Sequence, residues 1–278
     1  MTSCTTMTFE ACVRRGTHQA KGRRWWLTPG ESAMRQLHYG RIILAVGDAP
    51  AEFGTEGLET GLICLSGRAR VEVAGGCFIL HQYDALYLPR QSAVAVTPEG
   101  EGCDLAEVAA PVDGEYPLQF ISYDGVRQDP TLHFRAGGPS STRNLNILLG
   151  KNVQAGRICA GVTFSEAGNW TSWPPHEHAR MLEEAYVYIA MPAPAWGIQL
   201  VYTDPKNPEL AVIVREGDCV AMPAGYHPNV AAPGGSIGFL WMMAAHTEAT
   251  DRQFGVVNVQ PEYAAGGSGL EASQVSAR

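Results

Sequence analysis

The chain is poor in charge and in long apolar runs. Charged residues make up 17% of the 278 residues, and the formal net charge is -8. A negative balance argues against nucleic acid or an anionic membrane surface as the main partner. No apolar run approaches the roughly 20 residues that a membrane-spanning helix needs, and residues 1–22 contain no apolar core of a signal peptide.

Paired cysteines are also lacking. The seven cysteines are odd in number and scattered, and no two stand in a Cys-x-x-Cys arrangement. This usage is typical of reduced, mostly buried thiols in the cytosol. The sequence therefore predicts a cytoplasmic protein that works on small molecules, with neither nucleic acid nor membrane as a partner.

Long helical periodicity is nearly absent, whereas turn-forming residues are frequent. Thirty-one Gly and eighteen Pro separate short apolar runs. In the first half these runs are residues 62–65, 69–73, 85–88 and 93–96, and in the second half 158–164, 198–202, 210–214 and 239–243. Such spacing is typical of an all-β sandwich or barrel.

An internal repeat divides the chain. Residues 61–67 followed by 83–90 parallel residues 184–191 followed by 217–224, and each copy ends in Asp, four mostly apolar residues and Pro. A repeat of this kind predicts two homologous β-barrels. Asp, Gly, Pro and Ser gather in residues 123–141, so we expect a boundary there, with domains at 1–125 and 126–278. The Gly, Ser and Ala in residues 264–278 predict a loose tail.

Three histidines and an acidic residue in the second half suggest a metal site. Side chains at positions i and i+2 of a strand share a face, so His176 and His178 can face one ion. Glu184 begins an alternating segment that reads as the next strand. His227 follows a Pro-x-Gly turn and can close the site. This ligand set suits Zn, Mn, Fe, Co or Ni and leaves coordination positions for water or substrate.

Simpler interpretations of these residues also exist. His227 can be a surface turn residue, and the acidic residues can be a solvated strand end. Neighbours on a strand face opposite ways, so only one of Glu183 and Glu184 can point at the histidines. We favour Glu184, which is in register with Tyr186, and leave Glu183 open. Glu177 lies between the two histidines and is expected to face away.

The first copy of the repeat lacks these features. Residues 61–95 contain no His-x-His pair, and no histidine follows the turn after Pro89. We therefore predict that only the second barrel holds a metal and that the first serves packing and oligomer contacts.

The second-half motifs are similar to the two motifs of cupins, the jelly-roll metal proteins. Residues 168–178, 183–186 and 223–228 resemble the 5-deoxy-glucuronate isomerases of myo-inositol catabolism. That family shares a bicupin superfamily with the 4-deoxy-5-ketouronate isomerases of pectin breakdown. The short link at residues 179–182 resembles those pectin-pathway relatives more than the inositol-pathway members, which often have a longer loop there. Residues 141–144 also look like the inter-barrel segment of the family. The resemblance implies an all-β fold of two tandem cupin barrels.

The resemblance also implies a ligand set and a reaction. The ligands would be His176, His178, Glu184 and His227, with Zn as the first choice and Mn or Fe as alternatives. The reaction would be the aldose–ketose interconversion of 5-deoxy-D-glucuronate and 2-deoxy-5-keto-D-gluconate, with metal as the sole cofactor. The partner would be a small deoxy-uronate.

Several residues are candidates for catalysis. Arg143 is the first choice to bind the uronate carboxylate, because a guanidinium matches it bidentately. Arg180 is the second choice, although both can be ordinary surface arginines. Residues that can line the pocket or carry protons, but that can equally be packing residues, are Tyr186, Tyr202, Tyr226 and His246.

Other functional classes share this ligand set. Cupins with three histidines and a glutamate include metal-dependent dioxygenases, and a non-catalytic sugar-binding bicupin is a third class. Oxygen uptake would distinguish the dioxygenases from the isomerase. We also expect a homo-oligomer, because β-rich proteins of this kind associate through exposed sheet edges.

Overall fold

The computed structural model describes residues 7–270, and the regular secondary structure of these residues is almost entirely β. The helices are α1 (Phe9–Cys12) and α2 (Tyr123–Gln128), with short 3-10 turns at Thr17–Gln19 and Pro261–Gly266. The strands are β1 (Val13–Arg14), β2 (Gly22–Leu27), β3 (His38–Leu44), β4 (Ala51–Gly54), β5 (Leu58–Val73), β6 (Gly76–Leu80), β7 (Ala85–Leu88), β8 (Ala93–Pro111), β9 (Gln119–Ile121), β10 (His133–Ala136), β11 (Arg143–Leu149), β12 (Ile158–Ser165), β13 (Trp170–Thr171), β14 (His176–Glu177), β15 (Leu182–Ile189), β16 (Gly197–Val201), β17 (Leu210–Val214), β18 (Cys219–Met222), β19 (Asn229–Ala231), β20 (Gly238–Ala245) and β21 (Asn258–Val259). The predicted all-β class is confirmed.

The first barrel is built from one antiparallel sheet. Its order is β2-β3-β8-β5-β7-β9, with β4 added to β8 and β6 added to β5. The apolar runs 62–65 and 69–73 lie in the single strand β5, because two register shifts near Ser66 and Gly67 bend the strand without ending it. In the pairing of β5 with β7, Thr60 lies opposite Leu88.

The second barrel carries the predicted site. One sheet has the order β1-β18-β15-β20-β12-β11-β10, a second has the order β13-β19-β16-β17, and β14 pairs with β21. The central strand β15 is buried along its whole length. Its residue Glu184 lies opposite Met222 on β18 and Met243 on β20. This register repeats the one that places Thr60 opposite Leu88.

The first half contributes a short strand to the second barrel. Strand β1 precedes the first barrel but pairs with β18 of the second, and β9 leads towards the second barrel but pairs with β7 of the first. The Asp218 carboxylate accepts the backbone N–H of Gly16 at 3.1 Å. In the same way, Asp84 accepts the N–H of Tyr123 at 2.7 Å. Because β1, from the start of the chain, completes the main sheet of the second barrel, the boundary between residues 125 and 126 stays a prediction.

The barrels share a hydrophobic core. The larger buried cluster includes Tyr39 and Tyr87 from the first half and Leu149 and Tyr188 from the second. A smaller cluster around Leu62 fills the interior of the first barrel alone. Among the helices within residues 7–270, none has both the length and the hydropathy that a membrane crossing requires.

The contacts of Asp84 and Asp218 lead to a stability prediction. We expect Asp84→Ala and Asp218→Ala each to lower the free energy of unfolding by about 1–3 kcal/mol, since each leaves partly buried N–H donors without their acceptor. Urea unfolding monitored by tryptophan fluorescence measures this change. The matched control is Glu115→Ala, which removes an exposed carboxylate. An effect of the control as large as that of the aspartate variants would contradict the assignment.

Candidate metal centre

Three predicted ligands meet inside the second barrel. Glu184 lies on β15, His178 just beyond β14, and His227 in the turn between β18 and β19. The Nε2 atoms of His178 and His227 each lie 3.0 Å from Oε2 of Glu184. One ligand atom from each of the three residues can be chosen so that all lie within 4.8 Å of one another, and all three side chains are buried.

Backbone carbonyls fix the orientation of each imidazole. The Nδ1 atoms of His176, His178 and His227 lie 2.9 to 3.0 Å from the carbonyl oxygens of Pro174, Leu182 and Gly225. A carbonyl oxygen can only accept, so each Nδ1 carries a proton and each neutral ring has its lone pair on Nε2. Such contacts orient histidines that bind metals.

The turn before His227 depends on glycine. Gly225 has φ +89, a conformation that residues with a side chain rarely adopt, and an added Cβ would lie 2.7 Å from the carbonyl oxygen of Tyr202. The Gly225 carbonyl is also the acceptor for His227 Nδ1. The Pro-x-Gly-x-His motif therefore directs Nε2 of His227 towards Glu184.

The donor set fits a divalent cation. Nε2 of His227 is buried and has no hydrogen-bond partner, although it lies 3.0 Å from the Glu184 carboxylate. A lone pair that faces a carboxylate oxygen repels it unless a proton or a metal ion lies between them. Donor atoms bound to one tetrahedral zinc lie roughly 3.4 Å apart, given bonds of about 2.0–2.2 Å. The two observed Nε2–Oε2 separations, 3.0 Å each, are somewhat shorter than that spacing.

The electrostatics of the cluster favour added positive charge. Burial would raise the pKa of Glu184, but the adjacent His178 and His227 outweigh burial and lower the pKa to about 2, so the carboxylate is ionised. Burial and the neighbouring His227 lower the pKa of His176 to about 3, so that ring is neutral. Burial would also lower the pKa of His178, but Glu184 raises it above the ordinary value. A fixed negative charge thus attracts positive charge to this point.

His176 lies beside the cluster. Its ring centre is 5.0 Å from that of His227 and 6.4 Å from that of His178. It belongs to the wall of the same cavity but not to the group of three whose ligand atoms lie within 4.8 Å. The structure thus brings His178, Glu184 and His227 together and leaves His176 adjacent.

The neighbouring Glu183 faces the other way. Its carboxylate accepts the backbone N–H groups of Arg35, Gln36 and Leu37 at 2.9, 2.7 and 2.6 Å. These donors belong to the first half of the chain, on the side of β15 opposite the histidines. The alternation along the strand therefore places Glu184 at the cluster.

A cavity of about 60 Å³ adjoins the cluster. Arg143, which is 3% exposed, and Tyr186 lie in its wall. The Tyr186 hydroxyl lies 2.7 Å from Oγ of Ser172, and burial holds the pKa of the phenol well above its usual value. The remaining wall is mostly apolar and includes Leu145, Leu182, Phe239, Trp241, Met243, Phe254, Val256, Val257 and Leu270.

Other predicted candidates lie outside the cavity wall. Arg180 is exposed, and the Tyr226 ring packs 5.6 Å from the ring of Tyr202. Nε2 of His246 lies 3.0 Å from the carbonyl oxygen of Ala179. Glu177 accepts from the Asn258 side chain at 2.6 Å and faces away from the cluster, as the alternation indicates.

Residues 254–270, which we call the C-terminal segment, cover the site and were not predicted to do so. Val259 on β21 pairs with His176 on β14, and Arg143 donates to the carbonyl oxygen of Gly269 at 3.1 Å. Phe254 stacks on Trp241 with ring centres 4.8 Å apart. Within the predicted loose tail, Gly269 and Leu270 thus lie against the site, because the buried Arg143 binds the Gly269 carbonyl and Leu270 lies in the cavity wall. Residues 271–278 of the predicted tail lie outside the described residues.

The cluster leads to a prediction about metal content. We expect the His176→Ala, His178→Ala double variant and the single variant His227→Ala to lose nearly all bound metal, because each removes donors to one ion. Elemental analysis after dialysis against Zn measures this. His246→Ala is the matched control, since that imidazole lies outside the cavity wall, and it should keep the wild-type content. Stoichiometric metal in the double variant would refute the ligand assignment.

Comparisons with known proteins agree with this architecture. The model of the KduI/IolB family matches residues 12–259. A 5-deoxy-glucuronate isomerase from Geobacillus thermodenitrificans is 32% identical over 148 residues, which are 51% of this chain and 52% of that protein. The chain spans about half the length of the curated relatives it matches.

Solved structures share the fold. The crystal structure of an IolB-like protein from Salmonella typhimurium LT2 superimposes with a TM-score of 0.80 at 23% identity, covering 91% of this chain and 98% of that one. A variant of oxalate decarboxylase from Bacillus subtilis gives a TM-score of 0.59 at 14% identity, covering 90% and 79%. These neighbours confirm the predicted fold of two cupin barrels. The family model covers most of the length of this chain, and the chain therefore belongs to the KduI/IolB family.

Proposed function

We propose that the chain is a metal-dependent aldose–ketose isomerase that interconverts 5-deoxy-D-glucuronate and 2-deoxy-5-keto-D-gluconate in myo-inositol catabolism. The observation that carries the proposal is the convergence of His178, Glu184 and His227 on one point beside a cavity with a buried arginine. The reaction and the substrate are inferred from the relatives named 5-deoxy-glucuronate isomerase. The chain matches about half of the length of those relatives. The pathway follows from the resemblance in the sequence motifs.

The ion would be held by His178, Glu184 and His227, with His176 as the fourth ligand. Zn is the first choice, with Mn or Fe as alternatives, since imidazole and carboxylate donors suit all three. When bound, a divalent cation supplies Lewis-acid polarisation of adjacent carbonyl and hydroxyl oxygens.

The reaction needs proton transfer without an external oxidant. One proton moves from the hydroxyl-bearing carbon to the adjacent aldehyde carbon, and the hydroxyl proton passes to the former carbonyl oxygen. Tyr186 is suited to the second transfer, because its raised pKa keeps the phenol protonated. Ser172 Oγ, 2.7 Å from the phenol, can return a proton to it.

Arg143 is the residue we assign to the substrate carboxylate. It lies in the cavity wall, and its guanidinium donates to the neutral carbonyl oxygens of Ser141 and Gly269 at 3.1 Å. A carboxylate is a stronger acceptor for a guanidinium than a carbonyl is. We therefore expect the substrate to replace the contact with Gly269.

Substrate access requires movement of the cover. A volume of about 60 Å³ is well below the roughly 300–1,000 Å³ typical of ligand pockets. The C-terminal segment forms part of the wall through Phe254, Val256 and Leu270. Displacing this segment is the change that would admit a six-carbon sugar acid.

Assembly and location are further proposals. Ile213 is 47% exposed on β17, which forms an edge of its four-stranded sheet. An exposed apolar edge supports association with a second copy of the chain. We propose a homo-oligomer, and we propose a cytoplasmic location, which the cysteine usage favours.

The activity is tested by following the sugar by NMR in anaerobic buffer with added Zn or Mn. We expect conversion of either deoxy-uronate into the other by the wild-type protein. Glu184→Gln should keep the fold but weaken metal binding and turnover, because an amide is a poorer ligand than a carboxylate. Absence of conversion, with oxygen consumed in air, would favour the dioxygenase instead. Conversion of 4-deoxy-5-ketouronate alone would favour the pectin-pathway reaction.

The carboxylate anchor is tested by Arg143→Lys. We expect KM for the uronate to rise about tenfold or more with a smaller change in kcat, since the lysine loses bidentate geometry in ground and transition states alike. Arg180→Lys is the matched comparison, because Arg180 is exposed outside the cavity wall. A KM effect in Arg180→Lys but not in Arg143→Lys would transfer the assignment to Arg180.

A further inference from the structure

We propose that Glu183 is a positioning residue, through which the first barrel holds the metal ligands on β15 in place. The inference rests on the proposed metal site, which it extends by assigning a role to the first barrel. Glu183 touches neither the cavity nor the histidines, so its effect would pass through the backbone.

The contact of Glu183 with the first half is built of three hydrogen bonds. The side chain is fully buried. Its Oε2 accepts the N–H of Arg35, and its Oε1 accepts the N–H groups of Gln36 and Leu37. Consecutive backbone N–H groups of this kind form a concave anion-binding site. The donors immediately precede β3, so the contact ties the start of a first-barrel strand to the centre of the second barrel.

Both residues that flank Glu183 serve the site. The carbonyl oxygen of Leu182 lies 3.0 Å from Nδ1 of His178 and orients that ring. Glu184 provides the carboxylate between the two imidazoles. A shift of the backbone at residue 183 would therefore move two ligands at once. Metal–ligand distances tolerate only about 0.2 Å of deviation. The hydrogen bonds of Glu183 to residues 35–37 therefore affect the affinity of the site for the metal.

The repeat contains a similar contact without a ligand. Glu59 on β5 accepts the N–H groups of Gly156, Arg157 and Ile158 at 2.7, 2.5 and 2.8 Å. These donors lead into β12 of the second barrel, so the two contacts are reciprocal. Glu59 also accepts the Tyr87 hydroxyl at 2.5 Å, a bond that has no counterpart among those of Glu183 to the described residues.

The register shows that the two glutamates are equivalent positions of the repeat. Thr60 lies opposite Leu88, just as Glu184 lies opposite Met222. Glu59 and Glu183 each immediately precede one of these residues. A buried glutamate that accepts three backbone N–H groups thus precedes a threonine in the first barrel and the proposed ligand Glu184 in the second.

Glu183→Gln and Glu59→Gln form a controlled pair. Each variant removes one negative charge and places a side-chain amide, whose NH2 is itself a donor, next to backbone N–H donors. We expect both to lower the melting temperature of the metal-free protein. We expect Glu183→Gln to weaken Zn affinity about tenfold, the low end for residues that support ligands. Glu59→Gln should leave the affinity within about twofold of wild type, as for independent sites. Competition with a chromophoric chelator measures the affinity.

The outcomes of this comparison are distinct. A selective loss of Zn affinity in Glu183→Gln supports the positioning role. Equal losses in both variants, or wild-type affinity in both, overturn it while leaving the metal site intact. Absence of Zn binding by the wild-type protein overturns the metal site and the inference together.

Hydrogen exchange on the wild-type protein tests the same coupling without a substitution. Coupling between two sites is reciprocal, so Zn loading should slow the exchange of amides 35–37 more than that of amides 156–158. Exchange reports the local opening of such contacts. Equal protection of the two segments, or no change at 35–37, would overturn the proposal even if Glu183→Gln failed to fold.

Discussion

An ionised carboxylate buried inside a barrel is the constraint on which the site depends. Glu184 is 1% exposed, and its pKa of about 2 keeps it charged. A buried charge is stable only when opposite charge or hydrogen bonds compensate for lost solvation. His178 and His227 face it with Nε2, and their Nδ1 protons are committed to backbone carbonyls. A divalent cation satisfies the carboxylate and both lone pairs at once.

The duplicated barrels show how one half can support the other. The first barrel keeps the anchoring carboxylate Glu59 and the register of β5 against β7, but Thr60 occupies the position of Glu184. The pairing of β1 with β18 and the shared core couple the two halves. This arrangement is consistent with a first barrel that shapes a site located in the second.

Local sequence patterns were sufficient to predict the direction of several side chains at the site. Alternation along one strand was sufficient to point Glu184 and Glu183 to opposite faces, and the Pro-x-Gly turn was sufficient to direct His227. The cover of the site was missed, because β21 pairs with β14 across about 80 residues and no local pattern encodes that register. Tyr226 was a candidate for the pocket and equally for a packing role, and its ring packs on Tyr202, since the direction of a turn residue depends on the tertiary contacts around it. The merging of two apolar runs into β5 likewise depends on its long partner β8.

We propose that imidazoles and one carboxylate bind a divalent ion in the second barrel. X-ray absorption at the zinc edge of the Zn-loaded protein measures the donor atoms and their distances. We expect nitrogen and oxygen donors at about 2.0–2.2 Å, with the multiple-scattering signature of at least two imidazoles that is lost in His178→Ala. Sulfur donors at about 2.3 Å, or a fully hydrated ion without imidazole scattering, would contradict it.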